Sequence, residues 1–339
     1  MVADLKLGLM LGYWGAQPDD ATETVLAAER LGYDSVFTAE AYGSDALTPL
    51  AWYGARTSRI GLGTAVTQIS ARTPAATAMS AATLDHLTGG RLTLGLGVSG
   101  PQVVEGWYGQ PFPKPLARTR EYVNLLRAAW RRELLTSDGP HYPLPHPGGA
   151  ELGKPLKLTV HPRRERIPIY LGAEGPKNVA LAAEIADGWL PMFYHPQRGE
   201  RVYGDALATA PPGFEIACTV SVLVDDDVRD ALRRAKAPLA FYIGGMGAKN
   251  ENFHLNVIDR MGFAEEARRV QELFLSGRRD EAIEAVPDDL ADGISLVGPL
   301  GRIRERLELW RASPVTTLLI AGVRDEPTLA ALAELVRGY

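Results

Sequence analysis

Short apolar runs with strand-like composition alternate with longer amphipathic stretches along nearly the whole chain. That alternation restricts the fold more than any other feature of the sequence. Leu5–Leu11 is followed by a helical pattern over Ala21–Leu31, Asp34–Thr38 by Ala46–Arg56, and Ile60–Val66 by Pro74–Leu87. Arg91–Leu96 leads through a long loop to a helix over about Ala117–Trp130. Ile167–Leu171 precedes Asn178–Ala186, and Phe214–Val224 precedes Asp227–Lys236. Ile294–Val297 with Ile303–Trp310, and Thr316–Ile320 with Thr328–Val336, complete about eight units. Regular alternation implies parallel strands joined by helical crossovers. Eight units in 339 residues predict a single α/β domain over residues 1–339, a closed (β/α)8 TIM barrel. An open, doubly wound sheet is the alternative that periodicity alone leaves standing.

Two segments interrupt the rhythm. Residues 137–168 are dense in proline and glycine and connect a helix back to a strand. In a barrel that places them on the N-terminal face, away from the chemistry, so His141 and His146 are poor candidates for metal ligands. Residues 237–292 form a helical insertion, counted as following the sixth strand and so lying on the C-terminal face. Its Gly244-Gly245-Met246-Gly247 reads as a hinge or tight turn, and the insertion is either a lid over the site or a plain helical excursion.

Charge and composition exclude several classes. The net charge of −5 contains no basic block, which argues against nucleic acid. No apolar run approaches the roughly 20 residues a membrane span needs. The opening Met1-Val2-Ala3-Asp4-Leu5-Lys6 lacks the features of a secretory signal, so a cytoplasmic protein is expected. The single cysteine, Cys218, lies in an apolar run without a basic neighbour and reads as an inert core thiol.

Barrel enzymes build their sites from the loops after the strands. Here these are Gly12–Gly15, Ala39–Asp45, Thr67–Arg72, Gly97–Gly109 and Gly172–Pro176. They hold flat aromatic side chains, small residues and few ionisable groups. Such a lining suits a planar redox cofactor that carries its own chemistry. Motifs for a serine hydrolase, a zinc protease or a phosphate loop of the nucleotide-hydrolase type are absent from the sequence. Gly95-Leu96-Gly97 lacks the dinucleotide register. In the fifth loop a glycine-bearing turn enters a helix at Pro176, where open N–H groups favour a phosphate. A tight turn without a ligand explains the same spacing equally well.

Several segments resemble the luciferase-like flavin and deazaflavin family over nearly the whole chain. They are Gly61–Val66 with Arg72-Thr73-Pro74, Asp85–Gly97 with Thr88 where serine is common, Ile169–Pro176 with Ala186–Trp189, and Ser295–Gly298. The resemblance implies a non-prolyl cis peptide at Ala65–Val66 behind the cofactor ring. It implies a phosphate site at Gly172, Ala173 and Gly175, within a loop that also holds Glu174 and Pro176. Ser99, Gly100 and Pro101 would line the ring edge, and Glu40 with Tyr42 would polarise substrate or ring. Asp85 and Arg91 read as structural, and Trp189 as packing beside the cofactor pocket. Lys177 and Arg56 are candidates for a cofactor-tail contact.

Family members that dehydrogenate alcohols and sugar phosphates place a histidine after the second-strand acid and a glutamate in the fourth loop. Here Ala41 and Gly100 stand in those places. The expectation is therefore an oxidoreductase that uses coenzyme F420, reducing a small or medium-sized hydrophobic substrate, with a homodimer implied by the resemblance. An FMN-dependent two-component monooxygenase is the alternative, and a non-enzymatic cofactor-binding barrel a more distant one.

Overall fold

The computed structural model describes residues 5–148, 150–246 and 252–338. Its strands are β1 (Lys6–Gly12), β2 (Ser35–Thr38), β3 (Gly61–Thr64), β4 (Thr67–Gln68), β5 (Leu92–Gly97), β6 (Ile169–Gly172), β7 (Gly188–Leu190), β8 (Glu215–Val224), β9 (Ser295–Gly298) and β10 (Thr317–Ala321). All pair in parallel. The circuit β10-β1-β2-β3-β5-β6-β7-β8 closes because β8 also pairs with β10, from Ala217↔Thr317 to Ser221↔Ala321. β4 carries on past the end of β3 and pairs with β5. The fold is an eight-stranded TIM barrel, and the open sheet is excluded.

Two strand assignments need correction although the total of eight stands. Gly188–Leu190, absent from the sequence-based count, is a barrel strand between β6 and β8. At three residues it is too short to show a period. Ser295–Gly298, which was counted, instead pairs with Ser221–Val224, past most of the stretch of β8 that meets β10. The helical insertion accordingly follows the seventh barrel strand, not the sixth.

Strand residues of alternate parity face opposite ways. One set, including Leu9, Val36, Leu171, Trp189 and Leu318, joins the large core between strands and helices. The other set, Met10, Phe37, Tyr170, Leu190, Ala217 and Leu319, meets in a separate cluster inside the barrel. Far from the mouth, Asp85 is fully buried and takes two bonds from Arg164, at 2.5 and 3.1 Å. Arg91 donates to the carbonyls of Gly54, Thr57, Ile60 and Thr88. Both therefore stitch the frame, as the sequence implies.

The proline-rich segment does not stay on the lower face. Its end does, with Arg164 on Asp85 and the His161 carbonyl 2.6 Å from His86 Nε2. Its beginning lies along the helix Pro115–Trp130, where Arg118 donates to the Tyr142 hydroxyl and the Tyr142 ring meets Tyr122 edge-on. The insertion also differs from expectation. Its first part is the continuation of one helix, Val228–Gly245, and four more follow: Phe253–Arg260, Ala264–Leu275, Arg279–Glu284 and Asp288–Gly293. They share an apolar core of their own around Ile243, Ile258, Val270 and Leu290. Gly244 and Gly245 are not a hinge: they end the first helix against Phe274, where a Cβ on Gly244 would stand 2.3 Å from Phe274 Cβ. Gly247 lies outside the described residues.

Candidate active site

The floor of the barrel mouth is formed where β3 passes into β4. The Ala65–Val66 peptide is cis, as the resemblance implies. Val66 packs with Ala65 on the interior cluster. Its methyl groups fill the space over two glycines: a Cβ on Gly97 would come within 2.4 Å of Val66 Cγ2, and one on Gly172 within 2.9 Å of Cγ1. Glycine at both positions lets the ends of β5 and β6 close around that side chain. Thr67 Oγ1 and Gln68 Oε1 are buried beside it without a partner among the described residues. A buried polar atom left without a bond is costly, and two of them at the mouth of a barrel suit a polar ligand edge.

Glu40 follows β2 and is 8% exposed. Arg72 Nη1 donates to both of its oxygens, at 2.9 and 2.7 Å, and the Gln68 N–H adds a third bond at 3.1 Å. The carboxylate thus ties the second loop to the third. Any influence on a substrate acts from that fixed, charge-paired position. Tyr42 is 53% exposed and open at the mouth. Tyr108 reaches back from the fourth loop to the Ala41 carbonyl, and burial, reinforced by Glu40, raises the pKa of its phenol.

Ser99 has φ +59°, a left-handed conformation that costs a non-glycine residue roughly 1–2 kcal/mol. It turns the chain so that Gly100 caps, and Pro101 opens, the short helix Pro101–Gly106. A narrow cleft runs between the fourth and fifth loops, lined by Ile69, Gly97, Val98, Gly172, Ala173 and Asn178.

The fifth loop ends at the helix Pro176–Ile185, whose N-cap, Gly175, offers no side chain. A Cβ there would meet nothing within 4 Å, so the approach to the helix start is open. The loop backbone is clamped. Trp189 Nε1 donates to the Ala173 carbonyl at 2.8 Å, and the Glu174 carbonyl accepts from Tyr203 and Arg260. The Glu174 side chain turns to His254, whose Nδ1 lies 2.7 Å from Oε1. Lys177 is exposed on the first turn of the helix. Arg56, in contrast, stacks on Trp52 at 3.2 Å and donates to its carbonyl, which engages it on the outer surface.

Aromatic side chains line the mouth. Tyr13 from the first loop and Tyr42 from the second both act on the Tyr242 phenol, whose pKa burial pushes up to about 12. Tyr242 sits edge-on to Phe193 and His254, at 5.5 and 4.9 Å. Arg72 belongs to a segment that the sequence marks, but its role was not legible there. Tyr203, Tyr242, His254 and Arg260 carry no motif at all, and only folding brings them to the loops.

The sequence profile described as luciferase-like monooxygenase matches residues 4–317. The chain belongs to that family. It is 55% identical to a Mycobacterium tuberculosis protein named, provisionally, as a coenzyme F420-dependent oxidoreductase, over 98% of this chain and 100% of that one. It is 30% identical to a 5,10-methylenetetrahydromethanopterin reductase of Archaeoglobus fulgidus, over 88% and 87% of the two chains. The coenzyme F420-dependent tetrahydromethanopterin reductase of Methanopyrus kandleri shares the fold, with a TM-score of 0.80, 23% identity and 99% of each chain covered. The protein is an oxidoreductase, and among the described residues no helix is long and apolar enough to cross a membrane.

Proposed function

We propose that the protein is a coenzyme F420-dependent reductase of a small or medium-sized hydrophobic acceptor. The observation that carries this reading is kinship along 98% of the chain with an oxidoreductase named for that cofactor. The residues at the mouth fit such a group. Val66 would support the ring, Thr67 and Gln68 would meet its polar edge, and Ser99, Gly100 and Pro101 would flank it. Gly172, Ala173 and Gly175 would take the phosphate. When bound, the deazaflavin supplies hydride. The aromatic surface of Tyr13, Tyr42, Phe193 and Tyr242 would orient a flat acceptor.

The direction follows from which groups can hold a proton. Oxidising an alcohol needs a positioned base, which contributes about 10²–10⁴-fold. Ala41 and Gly100 have no group for it, and both oxygens of Glu40 accept from Arg72. Reduction of an activated acceptor makes a lighter demand, because Tyr42 or water can deliver the proton. The expected outcome is no turnover of glucose 6-phosphate or isopropanol with oxidised F420, and measurable turnover of an activated enone, imine or nitro compound with the reduced form. Absorbance of the deazaflavin band, followed in both directions at matched enzyme, checks it. Efficient oxidation of either alcohol contradicts the reductase assignment.

A further inference from the structure

The fifth loop contains a contradiction in charge. A loop read as a phosphate cradle carries a carboxylate, Glu174, in its middle, between Ala173 and Gly175. Consecutive Cα atoms are about 3.8 Å apart. An unneutralised charge on Glu174 would therefore stand well within a screening length of about 8–10 Å from any anion at the helix start. The structure answers this from a distant part of the chain. His254, in the helix Phe253–Arg260 of the insertion, sets Nδ1 2.7 Å from Glu174 Oε1. Neither that nitrogen nor Glu174 Oε2 has a hydrogen-bond partner among the described residues. The side chains are 20% and 17% exposed, so water screens the pair only in part.

We infer that His254 is a positioning residue for the cofactor: in its protonated form it neutralises Glu174 and makes the fifth loop fit to receive an anionic group. This rests on the phosphate reading of that loop. The helical insertion thereby enters the binding equilibrium without touching the ligand. Arg260, six residues further along the same helix, donates to the Glu174 carbonyl and holds the loop backbone. The remaining groups around the imidazole bring no further charge to the pair. Tyr242, on the helix Val228–Gly245, stays a neutral phenol at about 12, and Phe193, from the loop after β7, is apolar. The Tyr203 phenol, bonded to the same carbonyl, is raised by burial and also remains neutral.

With an imidazolium at position 254 the pair is neutral overall; without that charge the Glu174 carboxylate faces the anion and opposes its binding.

The test is fluorescence titration of the apoprotein with F420 at a single neutral pH. Wild type, His254→Gln, Glu174→Gln and the double variant are compared, each with its fold checked by circular dichroism. Affinities are read as ratios to Glu174→Gln. Wild type should match Glu174→Gln within about twofold, and His254→Gln should bind about tenfold more weakly, the size of an ordinary coupling between sites. The double variant should regain the affinity of Glu174→Gln. Loss from one partner's change with recovery in the pair is not what loss of structure produces. Equal weakening by both single changes, or a His254→Gln affinity equal to that of wild type, overturns the inference. Should His254→Gln not fold, His254→Asn takes its place in the comparison. If none of the chains binds F420, the proposed cofactor fails separately, and the same ratios with FMN, which also carries a phosphate, decide the role of the pair. Absence of binding for both ligands overturns both.

Discussion

Arg72 shows how a single side chain organises the mouth. Its guanidinium contacts both oxygens of a glutamate whose side chain is 4% exposed, and lies 3.9 Å from Asp45. Removing one member of a buried pair strands the other charge, which costs about 3–5 kcal/mol. Arg72→Met keeps the length of the chain and removes the charge. It is expected to lower unfolding free energy by about 3 kcal/mol, read from urea denaturation. A loss below about 1 kcal/mol would mean that Gln68 and water suffice to hold Glu40. At this scale the sequence exposed half of each interaction. Glu40 and Val66 are recognisable because they stand at fixed places in recognisable segments. Their partners are not, since the bond between Glu40 and Arg72 spans 32 residues and depends on the register of β2 beside β3. Glu174 and His254 are 80 positions apart, and no local pattern links them.

The elements show a similar division. The helix Pro176–Ile185 was legible from Pro176 and the glycine-bearing turn before it, and its open start is now visible in the free space around Gly175. A second carboxylate placed there, by Gly175→Asp, meets no steric obstacle. Its charge would oppose the anion and the helix dipole would no longer favour the ligand. Cofactor affinity should fall by at least about tenfold, roughly 1.4 kcal/mol, while the melting temperature stays within a few degrees. Unchanged affinity in the folded variant would remove this loop from the site. The elements misread in the sequence fail for physical reasons. β7 is three residues long and is identified by its neighbours, Tyr170 on one side and Glu215 on the other. The glycines at 244 and 245 resemble a flexible joint in one dimension, whereas in three they are the flat surface on which Phe274 lies. The proline-rich segment has no periodicity to place it, and Tyr142 decides its course by packing on Arg118 and Tyr122.

For the whole molecule, alternation pointed to a barrel but left an open sheet standing, and it is the pairing of β8 with β10 that closes the circuit. The insertion packs against the mouth of that barrel. It has a core of its own, yet it contributes Tyr242, His254 and Arg260 to the mouth, so the candidate site is built from both the barrel loops and a helical unit. That arrangement leaves a surface of aromatic rings and small residues around a recess, with the ionisable groups nearest the floor already paired, which is the environment of an enzyme whose reactive atom belongs to its cofactor. The identity of that cofactor is the central claim. Titrating the apoprotein with F420 and with FMN, side by side under the same conditions, tests it most directly. The account predicts a dissociation constant for F420 in the micromolar range or tighter, about −8 kcal/mol, with FMN at least about tenfold weaker. Preference for FMN by tenfold or more would contradict it and make the protein a flavin-dependent monooxygenase of the same fold.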